Sequence, residues 1–174
     1  MKDIKLFERE LNLIVDEELR MITKAYLDEK VPPYFWEIGA SSSGKYHPKF
    51  SQNDGGLVRH TKAVVMFAEE LLRMNTYAYM RAEYKDYVIV ACIIHDTCKY
   101  GKAEYNKEEY ADHAKNAASL FQDYCIEHDY FPSEFLLNAV VAHMGQWTED
   151  REERPFTSID RCVHLADYMA SRNF

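Results

Sequence analysis

The sequence has no cysteines paired as C-x-x-C, no excess of positive charge and no long apolar run, and each absence removes a class of protein. Its four cysteines, Cys92, Cys98, Cys125 and Cys162, are scattered, and Cys92 lies in the most apolar segment. Reduced thiols in a cytoplasmic protein are therefore expected, not a disulfide framework. The net charge of -8 argues against a broad basic face that coats long nucleic acid. No apolar run approaches the ~20 residues of a membrane span. The N-terminus, charged at Lys2, Asp3 and Lys5, lacks the apolar core of a signal peptide. Internal repeats, low-complexity segments and strand-like alternation of any length are also missing.

What is present is helical periodicity. A chain of 174 residues, 47% hydrophobic and 29% charged, suits one all-α domain around one core. From about Asp3 to Glu29, Leu6, Leu11, Ile14, Val15, Leu19, Ile22 and Tyr26 recur at helical spacing. Val31-Pro32-Pro33 ends that run. Residues 1–31 thus read as a packing helix that covers the core or a partner in a homodimer. Residues 34–54 are irregular, anchored by Tyr34, Phe35 and Trp36. Within them, Ser41 to Pro48 reads either as a plain turn or as a phosphate-cradling loop containing Lys45. Further helices are expected from Gly55-Gly56 to about Met74, from about Tyr84 to His95-Asp96, from Lys107 to His128 and from Ser133 to Met144. A last one starts at Thr157, where Thr157 and Asp160 have capping-box spacing.

The apolar run Tyr87 to Ile94 closes on His95-Asp96, and polar groups at the end of a buried segment are costly unless satisfied. His60, His113, His143 and Asp167 each stand where helical spacing expects an apolar residue. Any one of them has an ordinary explanation as a satisfied core group. All being unrelated is much harder to accept, because buried charged groups are rare unless paired or metal-bound. If the inward faces converge, the six residues supply ligands for one or two octahedral ions. Imidazole plus carboxylate suits Mn, Fe, Co, Ni or Zn better than Mg or Ca. His47, His128 and His164 lack this placement, and the last two read as surface or helix-packing residues.

The order His60, His95-Asp96, His113, His143, Asp167 resembles the HD superfamily of metal-dependent phosphohydrolases. The resemblance spans roughly Phe35 to Ser171. It rests on Gly55-Gly56-Leu57-Val58-Arg59-His60, His95-Asp96-Thr97-Cys98-Lys99 and His164-Leu165-Ala166-Asp167. Within the superfamily, Ser41 to His60 is similar to the HD domain of bacterial 3′-to-5′ exoribonucleases. The resemblance implies that His60, His95, Asp96 and Asp167 hold a first metal and that Asp96 bridges to a second, held by His113 and His143. Asp96 would then hold the nucleophilic water between the ions, with Lys99 as a further cation on the phosphoryl group. Arg59, Lys102 and Lys45 are additional candidates for substrate contact, and Trp147 for stacking on a base.

Two departures shape the expected substrate. Many two-metal members have His-His where this chain has His143-Met144. The exoribonucleases also carry an N-terminal nucleic-acid-binding domain for which this chain has no room. A small nucleotide or short oligonucleotide is therefore expected, with no membrane and no extended nucleic-acid surface. Two other readings stay open: a di-iron oxygenase of the same superfamily, and a non-catalytic nucleotide-binding sensor.

Overall fold

The computed structural model describes residues 2–41, 47–148 and 150–172. Among them are eight α-helices and no strand. The helices are α1 (Glu8–Leu11), α2 (Glu17–Glu29), α3 (Gly56–Arg73), α4 (Asn75–Ala78), α5 (Ala82–Ile94), α6 (His113–Glu127), α7 (Glu134–Ala142) and α8 (Ser158–Ala170). The all-α expectation holds.

Helix α5 is central: Val88 to Ile94 are all buried, and α3, α7 and α8 pack against it. An apolar segment surrounded on all sides needs no polar face. α3 lies against α8, α7 bridges α6 and α8, and α2 rests on α6. Tyr26 of α2 meets Phe121 and Tyr124 of α6 edge-on, with ring centroids 5.1 and 5.8 Å apart.

The N-terminal segment departs from the expected single helix. A 3-10 turn, Ile4–Phe7, leads into α1, and the chain breaks before α2. The cause lies far along the chain. The buried Asp86 carboxylate accepts the backbone N–H groups of Val15 (3.0 Å) and Asp16 (2.8 Å). Asp16 then caps α2 by accepting from the Leu19 amide at 2.9 Å. The break shifts the helical phase: Leu6 and Val15, counted on the buried face, are 46% and 76% exposed, whereas Phe7 is buried.

Other boundaries move less. The connection expected over residues 75–83 contains the short α4. The helix expected from Lys107 starts as a 3-10 run, Lys107–Asp112, so that His113 is the first residue of α6. At α8 the capping box of Thr157 and Asp160 forms as its spacing implies. Gly55 enters α3 with φ of 69°, and Gly56 lies so close to the Ser51 carbonyl that a Cβ would overlap it. This pair lets the 48–52 segment lie against the start of α3, the helix that carries His60.

Candidate metal centre

Helix ends build the site. His95 and His143 are the C-caps of α5 and α7, and His113 opens α6 where the 3-10 run stops. At such positions the last carbonyls lack intrahelical partners. Each ring turns back onto the carbonyl three residues earlier: His95 Nδ1 to Cys92 O (2.8 Å), His113 Nδ1 to Tyr110 O (2.6 Å), His143 Nδ1 to Val140 O (2.6 Å). A carbonyl only accepts, so Nδ1 carries the proton in all three rings and Nε2 is left as a lone pair.

These lone pairs converge on Asp96. Its Oδ2 lies 3.7 Å from His60 Nε2 and 3.6 Å from His95 Nε2. Its Oδ1 lies 3.4 Å from His113 Nε2 and 3.9 Å from His143 Nε2. Asp167 Oδ1, projecting from α8, is 3.0 Å from His60 Nε2 and 3.8 Å from His95 Nε2. Despite this close approach to Asp167, His60 Nε2 makes no well-formed hydrogen bond.

Burial lowers the pKa of His95 to about 4 and that of His143 to about 4, and it lowers His113 as well. All three are neutral near pH 7, the state in which imidazole binds metal. Burial also disfavours the Asp96 carboxylate, but Lys99 and the surrounding imidazoles outweigh it and hold its pKa well below the usual range. At Asp167 burial is likewise overcome, chiefly by His60 and His95.

The residues fit a divalent cation. Eight buried side-chain N or O atoms among the described residues lack a hydrogen-bond partner, and four of them belong to His60, His95 and Asp96. His113 Nε2 and His143 Nε2 are only 3.1 Å apart. With both Nδ1 atoms protonated, two lone pairs face each other there, an arrangement that a cation relieves. The ligand atoms of His60, His95 and Asp167 lie within 4.8 Å of one another, as do those of His95, Asp96 and His143.

The structure brings the six expected ligands together but scatters the expected substrate cations. Lys99 Nζ donates to Asp96 Oδ2 at 2.5 Å and is almost fully buried, although it still reaches the cleft. Burial disfavours its charge and Asp96 more than restores it, raising its pKa. Lys102 turns away to donate to Ser119 Oγ on α6 at 2.9 Å. The Arg59 guanidinium is spent on the Phe50 (2.5 Å) and Asn53 (3.3 Å) carbonyls. Neither residue borders the cleft above Asp96, and Lys45 lies outside the described residues. That cleft, of about 400 Å³, is lined by Asp96, Lys99, His113, His143 and Asp167 below. His47, Tyr110, Met144, Trp147, Ser171 and Arg172 form its walls. Past Tyr110, Met144 and Trp147 it adjoins a hollow of about 470 Å³ bordered by Asp112, Lys115, Asp150 and Glu153.

Sequence reasoning missed His47 and Arg172. The His47 ring packs edge-on against His60, centroids 5.0 Å apart, and burial lowers its pKa to about 4. It belongs to an irregular segment with no periodicity to mark it. Arg172 follows the end of α8, but it stands four residues after Tyr168, the spacing at which side chains on a helix meet. His164, read as a surface or helix-packing residue, donates from Nδ1 to the His143 carbonyl at 2.7 Å. Gly145, with φ of 59°, leaves room for that ring, since a Cβ would overlap it.

A helical core presenting His60, His95-Asp96 and Asp167 from three packed helices is the HD arrangement, and residues 57–172 match the HD domain family. The chain belongs to that family. HD domains bind divalent metals, and the family consists mostly of phosphohydrolases. No curated protein matches the sequence. No helix among the described residues is long and apolar enough to cross a membrane.

Proposed function

We propose that this HD domain is a metal-dependent phosphohydrolase acting on a nucleotide or short oligonucleotide phosphoester. The observation that carries this reading is the Asp96 carboxylate, whose two oxygens face two different histidine pairs at the floor of an open cleft. His60, His95, Asp96 and Asp167 would hold a first divalent ion, and Asp96, His113 and His143 a second. Such ions supply Lewis acidity toward a phosphoryl oxygen and make water acidic enough to attack phosphorus near neutral pH.

The chain's own groups prepare that chemistry. The three Nδ1–H donations hold the rings in one tautomer and orientation, so little reorganisation is needed on binding. Lys99 keeps Asp96 ionised while presenting an ammonium to the cleft. Tyr110, Met144 and Trp147 give the cleft a partly apolar wall. The cleft volume is in the range of small-ligand sites, which supports a nucleotide-sized substrate. The likeness to exoribonuclease HD domains rests on residues 41–60, of which 42–46 lie outside the described residues.

The test combines metal analysis with a screen of phosphodiesters and of nucleoside mono- and triphosphates, after reloading with Mn, Fe, Co, Ni or Zn. Wild-type protein should carry one to two ions per chain and turn over at least one phosphoester. His143→Ala should selectively lower occupancy of the second position. Fully loaded protein that hydrolyses nothing in the panel would sink the reading. Oxygen uptake with reduced iron would then point to oxygenation.

A further inference from the structure

Among the described residues two cations border the cleft, Lys99 and Arg172. Lys99 is engaged by Asp96. Arg172 has no ion-pair partner among the described residues, and its buried Nε has no hydrogen-bond partner. In a chain with 29 acidic residues against 21 basic ones, an unpaired guanidinium at a cleft wall is an unspent recognition group. Its mounting is aromatic: Cζ lies 4.4 Å from the Tyr168 ring centroid and 5.4 Å from that of Trp147. Those rings stack on each other at 5.7 Å with 14° between their planes. A guanidinium over aromatic rings can still present the N–H groups of its two terminal nitrogens, and that pair matches two phosphate oxygens at once.

We propose that Arg172 anchors an anionic group of the substrate other than the phosphoester that reacts, so that the preferred substrates carry a terminal phosphate. The inference rests on the phosphohydrolase reading for what the substrate is, but not for whether the anchor exists. The reacting group is drawn to the histidine and aspartate cluster. Arg172 forms no ion pair with either Asp96 or Asp167 and marks a separate point on the wall. A substrate held at both points is fixed in direction, which a single metal-facing phosphoryl group is not.

The experiment uses two dinucleotides that differ only in a 5′ terminal phosphate, each also prepared with a hydrolysis-resistant linkage in which a methylene replaces the bridging oxygen and the negative charge is kept. Calorimetry on metal-loaded protein should show the phosphorylated form binding at least ~10-fold tighter to wild type, the range for a bond to a charged group. Arg172→Gln should shrink that preference to about threefold or less with metal content unchanged, and Arg172→Lys should keep part of it. The same ordering should appear in kcat/KM for the hydrolysable pair. Wild type that binds both forms equally or neither, or Arg172→Gln that keeps the full preference, overturns the assignment. A preference in binding with no turnover of either form upholds the anchor and counts against dinucleotide hydrolysis instead.

Discussion

Lys99 Nζ lies 2.5 Å from Asp96 Oδ2, the same carboxylate oxygen that faces His60 and His95. The residue that resemblance casts as a phosphate contact would therefore also compete for an atom proposed to ligate the metal. A buried ammonium beside a cation site costs the incoming ion by Coulomb repulsion, and it occupies a lone pair of Oδ2.

Lys99→Met should accordingly tighten metal binding by about tenfold or more. It should also lower kcat by ~10², because a positive charge is lost where negative charge develops. Competitive chelator titration beside steady-state kinetics reads both. Weaker metal binding in this variant would show instead that Lys99 serves mainly to position Asp96.

The buried histidines make the metal-free protein sensitive to acid. His47, His95 and His143 have folded pKa values of about 4 because burial disfavours their charge, whereas an unfolded histidine titrates near 6.5. Between these values the unfolded chain binds more protons, so stability rises with pH across the window. The contribution is complete above about pH 6.5 and is lost as pH falls toward 4. Summed over three groups, the loss is on the order of several kcal/mol. Thermal melts in excess chelator should show Tm falling steeply from pH 6.5 to 4.5. A flat profile there would contradict the burial of neutral imidazoles.

Gly145→Ala forces a Cβ into the His164 ring at a positive φ. The expected cost is about 2–4 kcal/mol from backbone strain and overlap. His164 would be pushed from the His143 carbonyl, so metal occupancy should fall along with Tm. Adding His164→Ala removes the overlap and should recover part of the stability. If Gly145→Ala melts like wild type, the proposed packing is wrong.

Much of this arrangement was legible in the sequence, for identifiable reasons. His60, His113, His143 and Asp167 stood out because helical spacing makes a polar residue on an apolar face visible, and Thr157 with Asp160 announced its helix by local chemistry. What stayed hidden depends on distant partners. The break before α2 is imposed by Asp86, some seventy residues away. Lys102 and Arg59 read as further candidates behind Lys99 because they flank the motif residues, yet Ser119 and the Phe50 carbonyl claim them. His47 and Arg172 lie in an irregular segment and past a helix end, where no period makes a residue conspicuous.

The bond between Asp86 and the Val15–Asp16 amides also bears on modularity. Asp86 lies within residues 57–172, the portion that matches the HD family, but it spends both carboxylate oxygens on a segment before that portion. Excised at residue 57, the matched portion would hold an orphaned carboxylate in α5, the helix that ends at His95-Asp96. It would also lose Tyr26 from the surface of Phe121 and Tyr124. A cut at the start of the matched portion would therefore part groups that are buried against each other.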